Sequence, residues 1–205
     1  MALILAVCTG NICRSPMAEG FVRSMLATRG VQGVHVASCG VNGLEDSPAM
    51  PEGVEAMIEN GVDISAHRAR RLNAPMIREA DLVLTMATEH RDTIIAQVDG
   101  AVGKTFTLKE FARLLDHVPP GDPMPAGAGE DQVLAAAVAA ASQLRASGAV
   151  PPSRDEDVAD PLGLGVEAYR ATAWEIGQLC DRVVTGVFGA GVAESGGAAR
   201  REGGV

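Results

Sequence analysis

Short apolar runs alternate with longer amphipathic segments over most of the chain. Four runs have the length of buried strands: residues 3–7, 35–38, 82–86 and 105–108. Five segments have the helical period: residues 16–29, 51–60, 88–98, 109–116 and 165–188. Because strands that alternate with helices pair in parallel, the pattern predicts an α/β fold with helices on both faces of one sheet. Ligands of such folds bind at the carboxyl ends of the strands.

The first apolar run leads directly into a loop that carries candidate chemistry. Cys8 follows the run and Arg14 stands six residues later, where we predict a helix with Ser15 as its N-cap and Pro16 in its first turn. The backbone N–H groups of such a loop and the positive end of the helix form a cup for a dianion. Their field favours the thiolate of Cys8, and Arg14 can donate two parallel hydrogen bonds to the anion. The loop therefore indicates phosphoryl transfer through sulfur, with a buried structural cysteine as the alternative.

Composition limits the class of protein. Hydrophobic residues make up 47% of the 205 positions, yet no apolar run approaches a membrane span and the N-terminus lacks the basic region of a secretory signal. Four cysteines without paired spacing suit a reducing compartment, and a formal net charge of −9 argues against nucleic acid as a standing partner. We therefore expect a cytoplasmic enzyme, a monomer or weak dimer, that binds neither nucleic acid nor membranes.

Residues 8–16 (CTGNICRSP) resemble the signature loop of the low-molecular-weight protein tyrosine phosphatases, which also lies at the N-terminus. Asp160-Pro161 resembles the general-acid motif that this family carries near its C-terminus. The resemblance covers two parts of the chain, residues 1–118 and 155–187. It implies a three-layer, doubly wound α/β fold with a four-stranded parallel sheet, and a phosphatase that needs no metal or other cofactor.

The resemblance also implies a mechanism. Cys8 attacks phosphorus, Arg14 holds the equatorial oxygens, and Asp160 protonates the leaving oxygen and later activates water. The other expected phosphate-binding residues contribute backbone N–H groups of the loop: Thr9, Gly10, Asn11, Ile12, Cys13 and Ser15. Asp155 and Asp157 are alternative acids by proximity, but neither precedes a proline.

Four residues have expected supporting roles. By resemblance, Ser15 stabilises the Cys8 thiolate, unless it acts only as a cap. Asn11 holds left-handed backbone geometry and hydrogen-bonds the loop in place, unless it is a turn residue with no further role. Ser38 and His67 resemble members of the family's hydrogen-bond network behind the loop, although His67 has a surface histidine as its alternative.

Cys13 has two open interpretations. By resemblance, it pairs with Cys8 under oxidation and so makes the enzyme redox-regulated. Alternatively, it is a small side chain that fills the underside of the loop.

The expected partners are phosphorylated protein substrates. Ile12 favours phosphotyrosine, because related protein arginine phosphatases carry threonine at this place in the loop. Residues 160–163, with residues 166–170 behind them, resemble the arginine-phosphatase branch instead, so a protein arginine phosphatase is the second candidate. An arsenate reductase would need two further cysteines between Cys39 and Cys180, which the chain lacks. A non-catalytic phosphate-binding module would need neither the thiol nor the acid.

Two regions lie outside the alternation of strands and helices. Residues 119–153 are rich in Pro, Gly and Ala and contain a stretch, 130–145, with the propensity for a short helix. A mobile insertion without a function is the favoured interpretation, and a lid over the site is the alternative, because the insertion ends just before Asp160. Residues 189–205 lack a packing pattern, which predicts a disordered tail and leaves residues 1–188 as a single domain.

Overall fold

The structure, a computed structural model, describes residues 1–118 and 128–189. Within these residues, four parallel strands form one sheet in the order β2-β1-β3-β4: β1 (Ala2–Cys8), β2 (Val34–Gly40), β3 (Leu82–Thr85) and β4 (Thr105–Thr107). Seven α-helices in the described ranges accompany the strands: α1 (Arg14–Thr28), α2 (Pro51–Glu59), α3 (Ala74–Glu79), α4 (Thr88–Gln97), α5 (Leu108–Leu115), α6 (Glu130–Ser147) and α7 (Val166–Phe188). A 3-10 turn, Ala101–Lys104, precedes β4.

The side chains of β1 alternate between two hydrophobic cores. Ile4 and Ala6 pack in the larger core, which includes residues of α1, α5 and α7, whereas Leu5 and Val7 pack with residues of α3 and α4. All four are at most 2% exposed, so β1 is buried on both faces, as the central strands of parallel sheets are. The predicted three-layer, doubly wound α/β fold is confirmed.

All nine predicted strands and helices are present, with ends that differ by at most two residues. The sequence analysis missed α3 and the 3-10 turn, which are too short to show a period. A local signal for α3 was present, because Asn73 caps it by accepting from the N–H of Met76, and Pro75 lies in its first turn.

Helix α6 lies at the end of the sheet opposite to Cys8. The Glu130 carboxylate accepts from the N–H of Gln32 at 3.1 Å, just before β2 begins, and Arg145 Nη1 donates to the carbonyl of Thr105, where β4 begins, at 2.9 Å. Three side chains of α6 are buried in the larger core: Leu134, Val138 and Ala141. A lid over the site is therefore wrong for this helix. Its packing into the core also contradicts the mobility that the favoured interpretation assigns to these residues.

Two predicted segments, the insertion and the C-terminal tail, fall partly outside the described residues. Residues 119–127 of the insertion and residues 190–205 of the predicted tail lie outside the described residues. Within the described ranges, no helix combines the length and the apolarity that crossing a bilayer requires.

Candidate active site

The Cys8–Arg14 loop leaves the sheet at its topological switch point. Strand β1 pairs with β2 on one side and with β3 on the other. The order of the strands in the sheet therefore reverses its direction at β1. Cys8 is the last residue of β1 and Arg14 the first of α1. The loop therefore opens at the carboxyl end of the central strand, where the topology predicts a ligand site.

The carbonyl groups of the loop are bonded on its outer side. The carbonyl oxygens of residues 8–12 each accept a hydrogen bond of 2.8–3.1 Å, from the backbone N–H groups of Val41, Asn42, Leu44 and Met50 and from Nε2 of His67. In the described part of the chain, no acceptor is bonded to the N–H groups of residues 10–13. Because the N–H and C=O of a peptide unit point in opposite directions, these N–H groups are left to bind an anion inside the loop.

A chain of buried polar side chains supports Cys8. Its Sγ lies 3.0 Å from Ser15 Oγ, which accepts from Asn11 Nδ2 at 2.9 Å. Asn11 Nδ2 also donates to Ser38 Oγ at 2.8 Å, and Ser38 donates to Glu19 Oε2 at 2.6 Å. Since Ser15 Oγ already accepts from Asn11, its own proton can be directed at sulfur and stabilise a thiolate.

The predicted N-cap role of Ser15 is wrong. Helix α1 begins at Arg14, and the cap position is Cys13, which makes no side-chain capping hydrogen bond. Ser15 is 0% exposed and its hydroxyl faces Cys8 and the carbonyl of Cys39 instead. The Ser15 hydroxyl bonds these buried partners instead of a backbone N–H at the helix end, which explains why a residue type that usually caps lies inside the helix.

Asn11 takes the left-handed conformation expected for it, with φ 57°. Its Oδ1 accepts from the N–H of Arg70 at 2.8 Å, and its carbonyl accepts from His67 Nε2 at 2.8 Å. Burial lowers the pKa of His67, which favours a neutral ring with its proton on Nε2. His67 and Ser38 thus both contact Asn11 behind the loop.

Arg14 and Asp160 meet at the mouth of the loop. Arg14 Nη2 lies 2.5 Å from Asp160 Oδ2, and Arg14 Nη1 donates to the carbonyl of Val158 at 3.0 Å. The Arg14 side chain is 6% exposed and the Asp160 side chain 42%, so the guanidinium is fixed while the carboxyl group reaches solvent.

The alternative acids point elsewhere. Asp155 pairs with Lys109 at 2.8 Å and its side chain is 82% exposed, while Asp157 Oδ1 accepts from the N–H of Thr88 at the start of α4. Neither lines the cavity above Cys8, whereas Asp160 does.

The loop forms the floor of a cavity of about 280 Å³. Its walls are mostly apolar, and ten residues line it: Cys8, Thr9, Gly10, Ile12, Cys13, Arg14, Asn42, Leu44, Asp160 and Leu162. Leu44 and Leu162 are each about half exposed. The cavity therefore brings a thiol, a guanidinium and a carboxyl group together behind an apolar entrance.

Three comparisons agree with this geometry. The family model for low molecular weight phosphotyrosine protein phosphatases matches residues 3–144. A probable low molecular weight protein-tyrosine-phosphatase, EpsP, of Ralstonia solanacearum is 43% identical over 108 residues, which cover 53% of this chain and 71% of the relative. A protein-arginine-phosphatase of Geobacillus stearothermophilus is 34% identical over 180 residues, 88% of this chain and 92% of the relative. The crystal structure of a low molecular weight protein tyrosine phosphatase from T. tengcongensis has a TM-score of 0.66 and 33% identity, and covers 90% of this chain and 98% of its own.

The chain belongs to the low-molecular-weight phosphotyrosine protein phosphatase family. The predicted class of enzyme, a cysteine-dependent phosphatase that acts on phosphorylated proteins, is thereby confirmed. Asp160 lies beyond the residues that the family model matches, and its place in the site comes from the structure, where it lines the cavity and contacts Arg14.

The sequence analysis of this phosphatase missed His90. Its Nε2 shares a hydrogen bond of 2.9 Å with Thr9 Oγ1, which also accepts from Arg14 Nη2 at 3.4 Å. Burial, and then the charge of Arg14, lower the pKa of His90, so a neutral ring stands beside the guanidinium. His90 follows β3 by five residues. The rule that sites lie at the carboxyl ends of strands was the signal that could have found it.

Glu19 was also missed, although it lies one helical turn after Ser15 on the same face of α1. Its carboxylate accepts from Ser38 and pairs with Arg23 at 3.0 Å. Glu19 thus closes the hydrogen-bond chain behind the phosphatase loop.

Gly40 allows the phosphatase loop to pack against β2, and its replacement is a test of that contact. A Cβ at Gly40 would lie 2.4 Å from the carbonyl oxygen of Thr9 and 2.8 Å from the nitrogen of Asn11. We expect Gly40→Ala to lower the free energy of unfolding by about 3 kcal/mol, because backbone atoms cannot move aside cheaply. Chemical denaturation measures this change. In the control Gly103→Ala, the nearest atom is Ser142 Oγ at 3.8 Å, and we expect a change below about 0.5 kcal/mol.

Proposed function

We propose that this phosphatase hydrolyses phosphotyrosine in proteins through a cysteinyl-phosphate intermediate. One observation carries the proposal: Cys8, Arg14 and Asp160 line a single cavity whose walls include Ile12, Leu44 and Leu162. The polar groups suit a phosphate dianion, and the apolar walls suit a flat aromatic ring.

In the first step, the Cys8 thiolate attacks phosphorus in line with the ester oxygen. A sulfur–phosphorus bond forms while the bond to the phenolic oxygen breaks, and Asp160 gives that oxygen its proton. Arg14 and the loop N–H groups hold the equatorial oxygens, on which charge must be stabilised. Without substrate, Arg14 pairs with Asp160. The incoming dianion replaces Asp160 as the partner of the guanidinium. The freed carboxyl group, which reaches solvent, carries a proton taken from water to the leaving oxygen.

In the second step, Asp160 accepts a proton from water as the water attacks phosphorus. The sulfur–phosphorus bond breaks, inorganic phosphate leaves, and the Cys8 thiolate is restored with Ser15 Oγ 3.0 Å away. Each residue therefore returns to its starting protonation state.

Cys13 is the candidate for redox control of this cycle. It is 4% exposed, its Sγ contacts the hydroxyl of Tyr169 at 3.6 Å, and burial raises the pKa of its thiol to about 11. At neutral pH it is then a thiol that does not compete with Cys8 for substrate. Peroxide would oxidise Cys8 to the sulfenic acid, and attack by Cys13 would release water and form the disulfide. This pairing stays a prediction.

A protein arginine phosphatase is the second candidate, because a relative with that activity is 34% identical over 88% of the chain. Among the described residues that line the cavity, none is aromatic. The same nucleophile and acid could cleave a phosphorus–nitrogen bond, so the substrate is decided by the walls of the cavity.

Paired peptides test the choice of substrate. In one peptide sequence carrying either phosphotyrosine or phosphoarginine, we expect a kcat/KM at least about tenfold higher for phosphotyrosine, since a ring buries more apolar surface against Ile12. Ile12→Thr should reduce that ratio, whereas Ile58→Thr, at an exposed position outside the cavity, should not. A higher kcat/KM for phosphoarginine in the wild type would favour the second candidate.

A further inference from the structure

The segment that carries Asp160 is fastened to the sheet at several points. Val158, 1% exposed, donates its N–H to the carbonyl of Met86 at 2.8 Å and accepts from Arg14 Nη1 with its own carbonyl. Asp157 accepts from the N–H of Thr88 at 2.8 Å. These contacts place the segment across the carboxyl end of β3, beside the phosphatase loop.

Glu156 is the buried anchor of this segment. The residue is 9% exposed, and its two oxygens accept three hydrogen bonds. Arg113 Nη2 donates to Oε1 at 2.5 Å, the N–H of Ser153 donates to Oε1 at 3.0 Å, and Thr107 Oγ1 donates to Oε2 at 3.1 Å. A buried carboxylate is costly unless it is bonded in this way, so the contacts restrict Glu156 to one position.

Arg113 joins this anchor to the insertion. The same guanidinium that bonds Glu156 donates through Nη1 to the carbonyl of Pro151 at 2.8 Å. Pro151 lies near the end of the insertion, whose helix α6 is packed at the far end of the sheet. A series of contacts therefore links the segment after the core-packed α6 to Arg113, and Arg113 to Glu156, which lies four residues before Asp160.

We infer that the Glu156–Arg113 ion pair is a positioning device for Asp160, and that the described part of the insertion, residues 128–153, serves as its support rather than as a lid. The inference rests on the proposed role of Asp160 as general acid. Glu156 does not line the cavity, so it acts only through the acid. A proton donor must lie within hydrogen-bond reach of the leaving oxygen, and a displacement of about 1 Å can lower the rate up to about a hundredfold.

The test compares two substrates that differ in their need for the acid. Phenolate is a poor leaving group and needs a proton, whereas 4-nitrophenolate leaves with little help. The ratio of kcat/KM for phenyl phosphate to that for 4-nitrophenyl phosphate thus reports how well Asp160 delivers its proton. Because both values come from one preparation, the ratio does not depend on the fraction of protein that is folded.

We expect Glu156→Gln to lower this ratio about tenfold, since the amide cannot accept all three hydrogen bonds and leaves Arg113 without a counter-charge. Arg113→Gln, which removes the contacts with Glu156 and Pro151, should lower it to a similar degree. The matched control is Asp155→Asn, the same loss of charge one residue earlier on an exposed side chain, and its ratio should stay within about twofold of the wild type.

Asp160→Asn separates this inference from the proposed mechanism, because it should lower the ratio by about a hundredfold or more. If Asp160→Asn lowers the ratio and Glu156→Gln leaves it unchanged, the positioning role is overturned and the mechanism stands. An unchanged ratio in Asp160→Asn would overturn the acid assignment, and the positioning role with it.

Discussion

Replacing Cys8 with serine lowers kcat by about 10⁴-fold or more while the protein still binds phosphate. A thiol can reach its nucleophilic anion near neutral pH, whereas a serine hydroxyl in the same loop cannot without a base, and in the described residues no base contacts Cys8 Sγ. The loop N–H groups and Arg14 stay in place, so we expect the dissociation constant of inorganic phosphate to change less than about fivefold. Steady-state hydrolysis of 4-nitrophenyl phosphate and calorimetric titration with phosphate measure the two quantities.

Cys180→Ser is the matched control for this prediction. It makes the same atomic change at a thiol that is 0% exposed in the core of α7, away from the cavity. Its kcat should stay within about twofold of the wild type at a temperature where circular dichroism shows the folded protein. Turnover by Cys8→Ser above about a hundredth of the wild-type rate would rule out sulfur as the nucleophile.

The parts of the site that were predictable from the sequence are local in the chain. Consecutive residues form a strand, a short loop with Gly10 and Asn11, and a helix. The positions of Cys8 and Arg14 follow from these three elements. Asn11 tolerates the left-handed conformation better than most residues, which made its backbone predictable too. The prediction for Ser15 was wrong because it used only the local capping preference of serine. In the structure, Ser15 contacts Cys8 across the loop instead.

The contacts that were not predictable join residues far apart in the chain. His90 reaches Thr9 across 81 positions, and Glu156 reaches Arg113 across 43. In each pair, the sequence around one residue does not indicate its distant partner, because the carboxyl ends of parallel strands come together only when the sheet has formed. The placement of α6 likewise depends on which of its apolar side chains are buried, and three are. Because the helix is Ala-rich and has only a weak apolar stripe, tertiary packing decides which face that is.

Arg14→Lys lowers kcat/KM by about 10³-fold, although the charge is kept. Arg14 is held by Nη1 on the Val158 carbonyl and by Nη2 on Asp160 and Thr9, which presents a planar pair of donors toward the cavity. A lysine ammonium is a point charge that cannot reproduce two parallel bonds, so it loses stabilisation where the transition state needs it most.

Two measurements show whether geometry rather than charge is responsible. Vanadate, which takes the trigonal bipyramidal shape of the phosphoryl transition state, should lose far more affinity in Arg14→Lys than phosphate does, because the flat guanidinium matches equatorial oxygens. The control Arg182→Lys alters an exposed arginine that pairs with Asp116, and its kcat/KM should stay within about twofold of the wild type. Equal losses of vanadate and phosphate affinity would mean that Arg14 binds the ground state and the transition state alike, which contradicts its proposed role in the chemical step.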